Sequence, residues 1–234
     1  MNLILLTNDE IINNITEITG DKLKHILTFI KPVAGDTLKV GLVNGMTGDG
    51  IVTAINAHKL VMTVQLYKKP PEKLPLTLIC AMPRPKVLNR IIQHATTMGI
   101  QKIYIIKTWR VEKSYWESPM LEDENLYNQM ILGLEQGKDT VLPFIAIRKL
   151  FKPFVEDELP EIIRGSTALV AHPTGETQCP FDIGSPVTLA IGPEGGFIPY
   201  EIDSLQKIGF TTVSLGQRIL RVETAIPYLT GRLF

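Results

Sequence analysis

Five residues near the carboxyl end, Gly192-Pro193-Glu194-Gly195-Gly196, stand between a short apolar run and a stretch with helical spacing. Val187-Thr188-Leu189-Ala190-Ile191 reads as a buried strand, and Tyr200 to Ile208 carries Ile202, Leu205 and Ile208 on one helix face. The glycines therefore join a strand to a helix. A second junction of this kind follows, where the β-branched run Thr211-Thr212-Val213-Ser214-Leu215 breaks at Gly216 and a last helix opens from Glu223. Both loops are expected at the carboxyl ends of neighbouring parallel strands, which is where open α/β sheets bind ligands.

The residues of the first loop narrow the ligand. Glycines let a backbone approach a ligand closely and adopt positive φ. The loop is no phosphate cradle, because it has neither the Lys-Ser/Thr ending of a Walker loop nor a G-x-G-x-x-G opening a helix. Glu194 would repel a phosphate and tolerate a cationic or uncharged ligand, such as an adenosine bearing a sulfonium and an amino group. The plainer alternative is that Gly192 to Gly196 is only a tight connection.

Alternation of strands and helices extends upstream. Leu76 to Met82, Lys102 to Lys107, Phe144 to Ile147 and Thr167 to Ala171 read as strands, with helices at Val87 to Met98, stopped by Gly99, and at Glu122 to Gln136. This pattern predicts a mainly parallel sheet covered on both faces. The strand ending at Ala171 runs into His172-Pro173-Thr174-Gly175, a third strand-end loop. Lys68-Lys69-Pro70-Pro71-Glu72-Lys73-Leu74-Pro75 is a proline-rich connection that can be neither helix nor central strand, and it marks a domain boundary. Before it, Thr37 to Leu42, Ile51 to Ile55 and Val61 to Tyr67 read as strands, Asn44-Gly45 and Gly48-Asp49-Gly50 as turns, and Asp21 to Phe29 as a helix. The expected organisation is a small β-rich domain over residues 1–70 and an α/β domain over 76–234.

The net charge of zero lacks the basic footprint usual for a nucleic-acid binder, yet the charge is unevenly spread. Residues 76 to 117 hold Arg84, Lys86, Arg90, Lys102, Lys107, Arg110 and Lys113 against only Glu112 and Glu117. Trp109, Tyr115 and Trp116 interleave with them, as expected of a surface that grips phosphates and stacks unpaired bases. A solvated charged face with buried tryptophans is the alternative. Cys80 and Cys179 form no CxxC pair and lack histidines at metal-ligand spacing, so no metal site is expected. The amino terminus is a poor signal peptide and no apolar run approaches the ~20 residues of a membrane span, so a cytoplasmic protein is expected.

Ile191-Gly192-Pro193-Glu194-Gly195-Gly196-Phe197 paired with Leu215-Gly216-Gln217-Arg218-Ile219-Leu220-Arg221-Val222-Glu223-Thr224-Ala225 resembles the carboxyl-terminal signature of the RsmE family, ribosomal RNA small subunit methyltransferases of the knotted SPOUT class. The resemblance implies a SPOUT-type α/β domain with a carboxyl-terminal trefoil knot, preceded by a PUA-like RNA-binding barrel. It also implies S-adenosylmethionine as methyl donor, N3 of a uridine in 16S ribosomal RNA as acceptor, and an obligate homodimer. Carried over by position, His172, Pro173, Gly192, Pro193, Glu194, Gly195, Gly196, Leu215, Gly216, Ile219 and Leu220 are expected at the donor, and Lys24, His25, Lys31, Arg84, Lys86, Arg110 and Lys113 on the RNA side. His172 has the alternative of a strand-terminal residue that bonds to backbone. Lys113 and Lys31 replace arginines usual in the family, and Lys138-Asp139 follows Glu135-Gln136 where an arginine is common. Only guanidinium offers a planar bidentate fork to phosphate, so the donor side is intact while the RNA side has drifted.

Transfer to N3 requires removal of a weakly acidic proton or stabilisation of the resulting anion while both reactants are held at attack distance. Arg221 is the leading candidate, since a cation near the uracil oxygens would stabilise the developing charge. The competing reading is an ion pair with Glu223, itself expected as a helix-start carboxylate. Replacing Gly195 with a branched residue is expected to abolish donor binding. Three other functions remain compatible with parts of the pattern: a ribose 2′-O-methyltransferase of the same class, a non-catalytic ribosome-binding module, and a nucleotide-dependent oxidoreductase, which the missing dinucleotide fingerprint makes the weakest.

Overall fold

Alternating apolar residues and glycine-bearing strands build the first of two units, residues 1–72 together with Leu134–Leu142. In the computed structural model, which describes residues 2–175 and 177–234, this unit contains β1 (Ile4–Leu6), β2 (Ile15–Ile18), helix α1 (Gly20–Phe29), β3 (Thr37–Leu42), β4 (Thr47–Ile55) and β5 (Leu60–Lys68). The strands form one mixed sheet in the order β1-β3-β4-β5-β2, with β1 parallel to β3 and the other pairs antiparallel. Val40, Val52, Leu60, Met62 and Val64 point to one core with Ile4, Leu6 and Ile18, and α1 covers it with Leu23 and Ile26. The expected turn at Gly48-Asp49-Gly50 is instead the start of β4. A Cβ at Gly48 would collide with the Gln65 carbonyl, so glycine there permits close approach of β5 beside a register shift.

Leu134–Leu142, which lies far along the sequence, is fastened to this unit through backbone and side-chain bonds. Asn44 N–H donates to the Thr140 carbonyl at 2.8 Å, and Leu142 N–H to Asn44 Oδ1 at 3.0 Å. Glu135 is buried here, and burial pushes its carboxyl above the ordinary range.

The second unit comprises Lys73–Gly133 and Pro143–Phe234. Its strands are β6 (Leu74–Ala81), β7 (Ile100–Ile106), β8 (Phe144–Arg148), β9 (Thr167–Ala171), β10 (Thr177–Gln178), β11 (Val187–Ile191) and β12 (Thr211–Ser214). All pair in parallel, in the order β10-β12-β9-β11-β6-β7-β8. Every residue of β11 is buried, as a strand covered on both faces requires. Helices α2 (Pro85–Thr97), α3 (Asp123–Gly137, its last turn in the first unit), α4 (Phe151–Pro153), α5 (Leu159–Ile162), α6 (Pro199–Lys207) and α7 (Val222–Leu233) make the connections. Helix α2 buries Leu88, Ile91, Ile92 and Ala95 at helical spacing while Lys86 and Arg90 stay exposed, and Gly99 at φ 77° ends it.

Two further expectations are corrected. Loops after β11 and β12 do not leave neighbouring strands, because β9 lies between them. Pro75 lies in a central strand after all; the β6 to β7 register shifts between Leu74 and Thr77, and pairing with β11 begins only at Leu76, so its missing N–H breaks no regular ladder. No helix among the described residues is long and apolar enough to cross a membrane.

Candidate functional site

The position of β9 gathers the three strand-end loops instead of two. His172 follows β9 directly, and its N–H donates to the Val213 carbonyl at 3.0 Å, extending the pairing with β12 by one residue. The loop after β11 therefore lies on one side of His172 and the loop after β12 on the other. Together they enclose a cavity of about 530 Å3, within the size range of small-molecule sites. Its lining includes every residue expected at the donor: His172, Pro173, Gly192, Pro193, Glu194, Gly195, Gly196, Leu215, Gly216, Ile219 and Leu220. Arg221 lines it too, as do Ala171, Ile191, Gln217, Arg218, Val222 and Ala225.

The glycine loop has its shape for steric reasons at two positions. A Cβ on Gly192 would lie 2.9 Å from Phe197 N and 3.2 Å from Gly196 C, and Gly196 adopts φ 73°, a region costly for other residues. The turn is closed by Gly196 N–H on the Pro193 carbonyl at 2.7 Å. Gly195 is different. Its Cβ would meet only the flexible Arg110 side chain, 3.0 Å away at Cδ, so within the loop itself the sterically constrained glycines are Gly192 and Gly196.

Arg110, expected on the RNA side, also lines the cavity and donates from its guanidinium to the Gly195 carbonyl. Arg84, the residue before α2, donates its backbone N–H to Glu194 Oε1 at 3.3 Å. The Glu194–Gly195 corner is thus held from two loops. Buried Glu201, which sequence reasoning passed over as one more residue of a helical run, accepts Trp109 N–H at 2.7 Å and Ile198 N–H at 2.9 Å. The Glu at the third helical position, two residues after Pro199, was the signal that could have revealed it.

Arg221 precedes α7, and its carbonyl accepts Thr224 N–H at 2.9 Å and Ala225 N–H at 2.8 Å. Its side chain is exposed and, among the described residues, makes no ion pair, so the competing pairing with Glu223 is not formed. His172 Nδ1 meets Thr174 Oγ1 at 2.7 Å, so its ring is held by its own loop. Cys80, next to this region, is fully buried; burial, helped by Glu194, pushes its thiol up to about 12. Among the described residues no group of three His, Cys, Asp or Glu is disposed to hold a metal.

The remaining RNA-side candidates do not enter the cavity. Lys86 and Lys113 are exposed on α2 and on the 3-10 turn Lys113–Glu117 of the second unit. In the first unit Lys24 is exposed and His25 rests against Phe29, ring centroids 4.6 Å apart. Lys31 adopts φ 53° at the end of α1, where its N–H closes the helix on the Ile26 carbonyl at 2.9 Å.

This architecture has known counterparts. A putative methyltransferase from Legionella pneumophila, solved with bound cofactor SAM, superposes with a TM-score of 0.74 at 21% identity, over 98% of this chain and 95% of that one. A ribosomal RNA small subunit methyltransferase E from Neisseria gonorrhoeae bound to S-adenosyl methionine gives 0.74 at 17% identity, over 98% and 95%. In sequence, ribosomal RNA small subunit methyltransferase E of Treponema pallidum is 28% identical over 96% of this chain and 87% of its own length. The enzyme named ribosomal RNA small subunit methyltransferase E 1 of Borreliella burgdorferi is 25% identical over 96% and 94%. The model of the RNA methyltransferase domain matches residues 70–233, which span the parallel sheet and all three loops of the cavity, and the chain belongs to that family in its RsmE branch.

Proposed function

We propose that this protein uses S-adenosylmethionine to methylate N3 of a uridine in 16S ribosomal RNA of the small subunit. The observation that carries the reading is the single cavity into which the loops after β9, β11 and β12 bring both halves of the family signature. The lining fits the donor. Leu215, Ile219, Leu220 and Ala225 offer an apolar wall suited to an adenine, and Gly192 and Gly196 leave backbone where a side chain would intrude. Glu194 supplies negative charge for a cationic donor, with His172, Pro173, Pro193, Gly195 and Gly216 completing the enclosure. Bound there, S-adenosylmethionine supplies an electrophilic methyl group.

The chain's own residues do the rest. Arg221, fixed at the start of α7 and without an ion pair among the described residues, stabilises negative charge on the uracil oxygens as the N3 proton is lost. Arg110 holds the Gly195 carbonyl, which keeps the loop in place while the acceptor is aligned. Lys24, His25 and Lys31 in the first unit, and Arg84, Lys86, Arg110 and Lys113 in the second, meet the RNA backbone.

The finer architecture belongs to the same proposal: residues 1–70 as a PUA-like RNA-binding barrel, residues 76–234 as a knotted methyltransferase domain, a homodimer, and a cytoplasmic setting with no membrane or metal partner. Supporting a trefoil knot is the entry of β11 between β6 and β9, two strands that precede it in the chain. Supporting a dimer are the exposed Ile219 and Tyr228. The test is calorimetric titration with S-adenosylmethionine, followed by transfer of labelled methyl to unmodified small ribosomal subunits or to naked 16S RNA. Saturable donor binding with incorporation into RNA is expected; RNA binding without a donor site would overturn the proposal in favour of a non-catalytic module.

A further inference from the structure

Trp109 is 80% exposed, more than any other Phe, Tyr or Trp among the described residues. A lone exposed apolar side chain needs no explanation, but the backbone that carries this one is held in place. The backbone N–H of Trp109 donates to Glu201 Oε1 at 2.7 Å, Glu201 is only 3% exposed, and the other carboxylate oxygen takes the backbone N–H of Ile198 at 2.9 Å. Burying a carboxylate is costly unless its oxygens are hydrogen-bonded, so this double use sets the spacing between Trp109 and the exit of the glycine loop. The next residue, Arg110, lines the cavity and bonds to Gly195, while Arg84 N–H bonds to Glu194. Arg84, Trp109 and Arg110 are therefore grouped around one corner of the cavity mouth, and both arginine side chains are exposed.

Two cations beside a bare indole match what a single-stranded RNA needs, phosphate partners and a stacking face. Among the described residues the cavity lining contains no Phe, Tyr or Trp, and its one imidazole, His172, is bonded to Thr174 of its own loop. Tyr115 and Trp116, which the sequence groups with Trp109, are half-buried against the core. We infer that Trp109 is the stacking platform for an unpaired base of the acceptor RNA and that Glu201 is the positioning residue that presents it. The inference rests on the methyl-transfer reading and adds a specific contact for its RNA.

In a Trp116→Phe variant Trp109 is the sole indole. Titration with a short unmodified uridine-containing RNA is expected to quench its fluorescence, and the methyl donor alone is not. Trp109→Ala is expected to raise KM for unmodified small subunits about tenfold, a typical loss for one base–aromatic stack. Its donor affinity should stay within about twofold, and Trp109→Phe should recover most of the loss. An unchanged KM in Trp109→Ala, or an unquenched indole with RNA bound, overturns the assignment while wild-type methyl transfer leaves the enzyme reading intact. Absence of transfer by the wild type removes the ground for both.

Discussion

Alanine at Gly192 tests whether the glycine loop is the donor's cradle. The new Cβ would stand 2.9 Å from Phe197 N, 3.1 Å from Phe197 Cδ2 and 3.2 Å from Gly196 C, and two of these are main-chain atoms that cannot rotate aside. The Phe197 ring is 2% exposed and has no room to yield. Relief must come from opening the turn that Gly196 N–H closes on Pro193. Overpacking of this kind costs roughly 1–3 kcal/mol, which, borne by the loop, weakens donor binding by roughly five- to 150-fold. Unfolding should move by only a few degrees per kcal/mol in a chain of this size, about 2–4 °C. Calorimetric titration of folded Gly192→Ala with S-adenosylmethionine measures the first quantity and a thermal melt the second. Gly195→Ala, whose Cβ meets a movable arginine, is the control and should lose less than tenfold. A folded Gly192→Ala with wild-type donor affinity, or a larger loss at Gly195 than at Gly192, would refute the reasoning.

Arg221→Ala should lower kcat by about 10²–10³, the usual loss of one charge-stabilising group, while donor affinity changes by less than about threefold; equal losses in titration and turnover would make it a binding residue. Arg84→Ala should weaken RNA binding and lower the salt slope of a filter-binding assay by about 0.7, as loss of one single-strand phosphate contact does. Cys80 gives a pH prediction, because burial raises its thiol from 9.0 to about 12. Below pH 9 folded and unfolded chains both hold that proton. Above it the unfolded chain alone releases the proton, so stability falls as pH rises towards 12. Cys80→Ala should flatten that part of a denaturation-versus-pH curve, and an unchanged slope would show that Cys80 does not contribute.

The strands that line the site were legible because each is a short run rich in apolar or β-branched residues with glycine or proline directly after it or one residue further on, as in Val187–Ile191 followed by Gly192. Their order was not. Nothing in the local pattern says that β11 inserts between β6 and β9, so β11 and β12 read as neighbours when β9 separates them. Strands β1 and β2 escaped notice because three or four residues carry too little periodicity. All the residues expected at the donor line one cavity, since their motifs sit on loops that a parallel sheet collects at one edge. Contacts across loops were invisible: Glu201 to Trp109 spans 92 positions and Arg110 to Gly195 spans 85, and no spacing rule reaches so far. The three aromatic residues of the basic stretch looked equivalent, yet only Trp109 stays in solvent while Trp116 packs inward.

The central claim is a methyl group placed on a particular atom, and the most direct measurement identifies that atom. Purified protein is incubated with labelled S-adenosylmethionine and unmodified small ribosomal subunits, the 16S RNA is digested, and the labelled nucleoside is identified by mass spectrometry. N3-methyluridine is the predicted product. A ribose-methylated nucleoside, or saturable donor binding with no label in the RNA, would contradict the account.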